Sequence, residues 1–278
     1  MRKPPFDDIL VRKAFVHLFN RERLIEKFFH NEYIPIDSYY PGGLYANPDN
    51  PRYRYDPKKA RELFTQAGYK MTEGKWVSKE GVPMGASLLS TAGMANILKI
   101  YQEDLQKEGV ELRLEIVKPQ ELLQNIMRQQ FQMAIISWTG EYFPDPENAW
   151  ESTLADKPHS FNICGVKSEK IDRICKVYRR MFLQRQRVSA IREIDDALMK
   201  LQPYALGWGK DYERILYFKK FGYPQGHLSK TGDFWDVLSV WWIDPAKEDA
   251  LQKTISAPAA QLERGEVEQR YWLQEKES

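Results

Sequence analysis

The side chains best placed to do chemistry in this sequence lie between Ser137 and Pro146, where Glu141 and Asp145 are two carboxylates four residues apart. Such a pair could act as a general acid and a general base in hydrolysis. However, the pair shares a proline-stiffened loop, and the sequence shows no neighbouring histidine, no G-x-S-x-G motif and no phosphate-binding loop. The segment therefore favours ligand binding over catalysis.

The position of this segment supports a binding role. The apolar run from Met133 to Ile136 predicts a strand buried on both faces, and the residues after it are polar and aromatic. Open α/β sheets hold ligands just past the carboxyl ends of their strands. Pro144-Asp145-Pro146 then stops any helix, so the intervening side chains lie on a loop. The candidate ligand-binding residues of this loop are Ser137, Trp138, Thr139, Glu141 and Tyr142.

The elements before this loop predict a parallel sheet. Residues 86–90 and 110–116 read as strands, and apolar spacing predicts helices over 94–105 and 119–126. Together with the strand at Met133 they form a β-α-β-α-β unit, whose strands should be parallel. The loop would then lie at the crevice edge of the sheet.

The flanking regions read mainly as helices and loops. Helices are expected at 8–19 and 21–29, at 57–67 with Asp56 as cap and Gly68 at the end, and at two places after Ser168. Residues 31–55 form a long loop whose Tyr39, Tyr40 and Tyr45 could line a cleft or pack locally. A hairpin is expected at 75–78 and 82–84, and strands are expected at 204–208 and 214–218. Trp208 is a further candidate for the cleft.

Composition excludes several classes of protein. The 278 residues carry 41 basic and 39 acidic side chains. The net charge of +2 shows no excess of basic residues of the kind that binds nucleic acid. No apolar run is long enough to span a bilayer, and Met1 to Asp8 has no signal-peptide core. Cys164, Cys175 and the four scattered histidines give no metal-ligand spacing, so no metal or cofactor is expected. Both cysteines are expected to be buried thiols, although a disulfide between them stays open.

The order of motifs resembles one protein family. PPFDDILVRKAF, YDPKKARELFTQAGY, the β-α-β-α-β unit, FQMAIISWTGEYFPDPENAW and GVKSEKIDRI follow one another as in the C-terminal half of extracellular solute-binding proteins of family 5. These are the oligopeptide- and dipeptide-binding components of ABC importers. The resemblance covers about residues 4–253 and implies an α/β, type II periplasmic-binding-protein fold.

The resemblance also implies how the chain is organised. Residues 1–221 would be the second, C-terminal lobe, and residues 222–278 a returning segment and tail that complete a first lobe absent from this sequence. The full precursor would be periplasmic or extracytoplasmic and would not span the membrane. Its partners would be a peptide or other small solute and a membrane permease. The aromatic run Phe234 to Trp242, left without that lobe, would favour self-association.

In the family, an aspartate of the W..D motif pairs with the ligand's α-ammonium, and Glu141 occupies the matching position here. The longer glutamate implies a deeper pocket or a displaced ligand. Trp138 would form an apolar wall, and Ser137 and Thr139 would pair with the ligand backbone. The sequence leaves open whether Glu141 is instead a solvated loop carboxylate, and whether Trp138 closes the core. A sensor domain within a regulator is the alternative non-enzymatic function.

Overall fold

A computed structural model of the chain describes residues 3–138, 143–224, 237–257 and 268. These residues belong to two compact units, each described by itself below. The first comprises residues 3–138 and 143–211, and the second begins at Tyr212. The candidates Thr139, Glu141 and Tyr142 lie outside the described residues, as do Phe234 and Trp235.

The first unit contains the predicted parallel sheet. Its strands are β4 (Gly85–Ser90), β5 (Glu111–Ile116) and β6 (Met133–Ala134), in the spatial order β5-β4-β6. Both neighbours run parallel to β4, with Leu88 opposite Leu114 and Met133. Helices α4 (Ala95–Lys107) and α5 (Pro119–Met127) connect the strands. The predicted β-α-β-α-β unit is confirmed.

Strand β6 differs from its prediction. It is two residues long, and Met133 to Ile136 are half-buried rather than buried on both faces. The reason is its position, because β6 is an edge strand with β4 as its neighbour. An edge strand has one side that no other strand covers, and it is usually short.

Helices α1 (Ile9–His17), α2 (Arg21–Phe29) and α3 (Pro57–Gln66) begin at residues whose side chains cap them. Asp56 Oδ1 accepts a hydrogen bond of 2.9 Å from the backbone N–H of Lys59, and the turn after α3 places Gly68 at a φ of +90°. Both features were predicted. The apolar faces of α1 and α3 pack with β4, α4 and β5 in a first core that includes Phe15, Phe64, Trp76, Leu88 and Leu105.

The predicted hairpin is formed in part, and its first strand also pairs with an earlier one. Strands β2 (Lys70–Thr72) and β3 (Lys75–Val77) pair through Glu73 and Gly74, whose φ angles of +50° and +77° suit a two-residue hairpin turn. The expected partner, residues 82–84, pairs with β3 over a short distance: Val77 and Pro83 form an isolated bridge, and the N–H groups of Ser78 and Met84 donate to Val82 O (2.9 Å) and Trp76 O (2.6 Å). Because proline has no backbone N–H, it cannot donate to a longer ladder.

A second core lies under helices α6 (Pro146–Trp150), α7 (Glu169–Tyr178) and α8 (Gln184–Leu201). Helix α6 begins at Pro146, so this proline ends the preceding loop and starts a helix, a role that was not predicted. Proline suits the first turn of a helix because its missing N–H is not needed there. Neither Cys164 nor Cys175 forms a disulfide; Cys175 is buried in this core, and Cys164 is half-buried.

The remaining strands are short. Strand β1 (Ile34–Pro35) pairs antiparallel with β7 (Trp208–Gly209). A strand was predicted at 204–208, and only Trp208 of that range lies in a strand. The second unit contains β8 (Phe221–Gly222) paired with β9 (Trp242–Ile243), and helices α9 (Val237–Val240) and α10 (Pro245–Ser256). The strand predicted at 214–218 is not formed. Its apolar residues Leu216 and Phe218 are exposed, and no strand among the described residues pairs with them.

Candidate functional site

The candidate site begins where strand β6 ends. The backbone N–H of Ile135 donates the last hydrogen bond to the sheet, 3.1 Å to Leu89 O, and the chain then leaves β4. Ser137 and Trp138 follow and are both exposed; the exposed fraction of Trp138 is 50%. The structure thus places these two candidates past the carboxyl end of a parallel strand, where the sequence predicted them.

An aromatic group lies behind Trp138. The Trp138 ring stacks on Tyr204, with 6.5 Å between ring centroids and an angle of 22° between ring planes. Tyr204 in turn contacts Tyr39 at 5.6 Å and Trp150 at 5.5 Å between centroids. Trp138 therefore neither closes the core nor stands alone, because its half-exposed ring rests on the half-buried ring of Tyr204.

Hydrogen bonds fix this aromatic group. The hydroxyl of Tyr39 donates to Tyr204 O and accepts from Tyr204 N–H, each at 3.2 Å, and Trp150 Nε1 donates to the hydroxyl of Tyr40 at 3.0 Å. Burial raises the pKa of Tyr39, Tyr40 and Tyr204, because the phenolate would lose its hydration. Tyr39 and Tyr40 thus pack locally, behind the exposed ring of Trp138.

Asp195 on α8 anchors the long loop that carries these tyrosines. This role was not predicted from the sequence. Its side chain is fully buried. The carboxylate accepts hydrogen bonds from the Ser38 hydroxyl (2.7 Å), from the backbone N–H groups of Tyr39 (2.8 Å) and Asn47 (3.1 Å), and from the Asn50 side-chain amide (2.8 Å). In the described part of the chain it has no ion-pair partner. A signal was present, since Asp195 occupies the apolar stripe of α8 together with Ile191 and Leu198.

Arg21 holds the same loop from its other side. Its buried guanidinium forms an ion pair of 2.9 Å with Asp37 and donates to Tyr53 O at 2.7 Å. It also donates to Ile36 O and to Leu206 O, which tie the start of the loop to the segment before β7. The loop of residues 31–55 is therefore fixed by one buried anion and one buried cation.

Trp208, the remaining candidate, belongs to another aromatic group. It is half-buried in β7, and its ring packs against Phe19 at 6.0 Å and Phe29 at 5.3 Å between centroids. Phe19 packs on the first core. The structure thus brings Ser137 and Trp138 together and places Trp208 in a separate group.

Asp145 has a local structural role. Its Oδ1 atom accepts a hydrogen bond of 3.4 Å from the Asn148 backbone N–H and so caps helix α6. This agrees with the prediction that Asp145 forms a turn. Within the described ranges no three His, Cys, Asp or Glu side chains come close enough to hold a metal ion, and no described helix has the length and apolarity that crossing a bilayer requires.

Comparison with protein families gives one match over more than half of the chain. The model described as "Bacterial extracellular solute-binding proteins, family 5 Middle" matches residues 1–160. Among curated proteins, the oligopeptide-binding protein AppA of Bacillus subtilis is 26% identical over 237 residues, which cover 81% of this chain and 40% of that protein.

Solved structures share the fold. The Bacillus subtilis AppA structure in complex with a nonapeptide superposes with a TM-score of 0.73 at 20% identity, covering 87% of this chain and 49% of that one. NikZ from Campylobacter jejuni in complex with Ni(L-His) gives a TM-score of 0.65 at 19% identity, covering 73% and 42%. This chain spans less than half the length of each of these relatives. The predicted α/β fold of a type II periplasmic binding protein is confirmed, and the matched family and relatives are binding proteins rather than enzymes.

Proposed function

Because this chain belongs to family 5 of the bacterial extracellular solute-binding proteins, we propose that it is part of the substrate-binding component of an ABC importer. The component captures a peptide or a related small solute between two lobes that close around a hinge. It then delivers this ligand to a membrane permease. The family description names extracellular proteins, and we place the complete receptor in the periplasm or at another extracytoplasmic location.

One observation carries this proposal. Trp138 presents a half-exposed ring just past the carboxyl end of parallel strand β6, with Tyr204 stacked behind it. Rings supported in this way offer a rigid apolar wall, and the adjoining backbone outside the sheet suits pairing with an extended peptide. Ser137, Thr139 and Tyr142 are proposed to line the same surface, and Trp208 to lie at its margin.

Glu141 is proposed to bind the ligand's ammonium group. The proposal rests on its place in Trp138-Thr139-Gly140-Glu141, three residues after the exposed tryptophan. A carboxylate hydrogen-bonded to an ammonium is stabilised by charge, and the interaction strengthens where water is excluded.

For the domain organisation we propose that residues 1–221 form the second lobe of the receptor and residues 222–278 a segment that returns to the first. The length supports this, since the chain spans 40% of the Bacillus subtilis relative and matches it over 81% of its own residues. A single lobe supplies only part of the ligand contacts, so this chain should bind its ligand weakly.

Self-association through the second unit is also proposed. Leu238 is 71% exposed, and Trp242 and Ile243 are exposed beside it in sequence. Exposed apolar groups of this kind promote association. Sedimentation velocity should show a concentration-dependent dimer that Leu238→Ser with Ile243→Ser reduces, and an unchanged monomer over the whole concentration range would refute it.

The binding proposal is tested by saturation-transfer NMR, which detects weak ligands. A pool of di- to pentapeptides is mixed with the chain, and magnetisation transferred to individual peptides is measured. We expect magnetisation transfer to peptides with the unchanged chain. Trp138→Ala should abolish this transfer, whereas the control Trp76→Phe, at a position 4% exposed in the first core, should retain it. Absence of transfer to every peptide would contradict the proposal.

The role of Glu141 needs a matched pair of ligands. Glu141→Gln should weaken the binding of a peptide with a free amino terminus by at least about tenfold, because a charged hydrogen bond contributes roughly 1.5–3 kcal/mol. The N-acetylated form of the same peptide should bind both proteins equally. Equal loss for the two peptides would assign Glu141 a structural role instead.

A further inference from the structure

The corner between helices α7 and α8 displays apolar side chains that nothing in the first unit covers. Residues 179–183 connect the two helices. Phe182 is 88% exposed, Leu183 is 50% exposed, and Val177 on the last turn of α7 is 48% exposed. A phenylalanine this exposed protrudes from the surface, and removal of its ring from water would be favourable.

The corner is built to hold this shape. The backbone N–H groups of Arg180 and Met181 donate to Val177 O and Tyr178 O, each at 3.0 Å. Arg187 Nε donates to Met181 O at 2.7 Å, and its guanidinium lies 5.4 Å from the centre of the buried Tyr178 ring. The exposed Phe182 therefore stands on a turn that is hydrogen-bonded on both sides.

The sequence around the corner is mainly basic. From Arg173 to Arg192 the sequence contains seven basic residues and no acidic one, whereas the whole chain is nearly balanced. Arg179 forms an ion pair of 2.7 Å with Glu147. Within the described ranges, Arg173, Lys176, Arg180 and Arg185 are exposed and have no ion-pair partner.

A groove of about 590 Å³ between α7 and α8 adds to this surface. Ile174, Val177 and Met181 line its apolar part, and Lys170 and Arg173 supply cations. Glu193 also lines the groove, and Lys170 forms an ion pair with Asp196. The apolar and cationic side chains thus adjoin one another.

We propose that this corner binds the surface of an anionic lipid bilayer. Phe182 and Leu183 enter the boundary between headgroups and acyl chains, and Arg180, Arg185 and Lys176 bind lipid phosphates. A bilayer accepts a protruding ring without a complementary pocket, whereas a protein partner must shape one. Aromatic and leucine side chains combined with basic neighbours are the composition of interfacial membrane-binding segments. This contact would keep the chain at the membrane independently of any ligand.

The test is co-sedimentation of the full chain with vesicles. We expect binding to vesicles of phosphatidylcholine with phosphatidylglycerol, and little binding to phosphatidylcholine alone. Arg180→Gln with Arg185→Gln should lower the partition coefficient by about thirtyfold, because each of the two basic residues near an anionic surface contributes about 1 kcal/mol. Phe182→Ser with Leu183→Ser should lower it while leaving the charge unchanged.

The matched control is Lys58→Gln with Arg128→Gln, which removes the same charge from exposed positions outside the corner. It should bind anionic vesicles like the unchanged chain. Equal losses for the control and the Arg180/Arg185 variant would overturn the proposal, because binding would then follow net charge alone. Binding to poly-glutamate without binding to anionic vesicles would also overturn it, in favour of an acidic protein partner.

Discussion

Tyr204 is the residue on which the orientation of Trp138 depends most. Its ring stacks on Trp138 and contacts Tyr39 and Trp150. We expect Tyr204→Leu to destabilise the chain by about 2–4 kcal/mol in urea unfolding and to weaken peptide binding by roughly threefold to tenfold. Tyr204→Phe keeps the ring and should leave binding unchanged. Equal binding by the leucine variant would show that Trp138 needs no support.

Asp195 allows a sharp stability test because its neighbour in sequence is a natural control. Asp195→Asn replaces an acceptor with an amide among four donors, so at least one donor loses its partner, and the expected cost is about 2–3 kcal/mol. Asp196 lies on the outer face of α8, bonded to Lys200 and Lys170. Asp196→Asn should cost no more than about 1 kcal/mol in the same urea titration. Equal losses for the two variants would show that Asp195 does not anchor the loop.

For single residues, the sequence correctly predicted the features that depend on residues nearby in the sequence. The cap at Asp56 and the glycine ending α3 follow from residues within a few positions of the helix. The partners of Asp195 could not be predicted, since Ser38 and Tyr39 lie 157 and 156 residues away from it. The roles of Thr139, Glu141 and Tyr142 stay predictions.

At the scale of elements, Gly109 fixes the end of α4 against the β2–β3 hairpin. Its φ is +75°, and a Cβ atom there would lie 2.5 Å from Gly74 O. We expect Gly109→Ala to cost more than about 2 kcal/mol of unfolding free energy, because a positive φ and a backbone clash add together. Gly81 has a φ of +81° with open space around it, so Gly81→Ala should show only the conformational cost of about 1 kcal/mol. Unfolding curves that coincide for the two variants would contradict the close packing.

Helices and the longer strands could be predicted from the sequence because their periodicity is internal to each segment. Strands β4 and β5 and helices α4 and α5 appear within a few residues of their expected positions. The strands expected at 204–208 and 214–218 were largely wrong, because a short strand is defined by its partner. Strand β7 exists through its pairing with β1, more than 170 residues earlier in the chain.

For the whole molecule, the buried phenols and thiol predict loss of stability at alkaline pH. Burial raises the pKa of Tyr40 and Tyr101 above the ordinary value and that of Cys175 to about 12. Below about pH 8 these groups are protonated in both states and do not affect unfolding. Above about pH 9–10 they ionise only in the unfolded state, so each lowers the unfolding free energy by up to about 1.4 kcal/mol per pH unit.

This prediction is checked by urea unfolding at a series of alkaline pH values. Tyr101→Phe should make the decline shallower, because one buried titrating group has been removed. The hydroxyl of Tyr101 donates a 3.3 Å hydrogen bond to Phe15 O, so its loss should also cost a little stability at neutral pH. A stability that stays constant through this range would contradict the burial of these groups.

The central claim is that the surface around Trp138 binds a peptide-like ligand, and the most direct measurement is ¹⁹F NMR of the chain labelled with 5-fluorotryptophan. Trp138→Phe identifies the Trp138 resonance, and Trp76, 4% exposed in the first core, is the internal reference. Addition of the di- to pentapeptide pool should shift the Trp138 resonance and leave the Trp76 resonance unchanged. If peptides bind but the Trp138 resonance does not shift, the ligand lies elsewhere, and the surface around Trp138 is not the binding site.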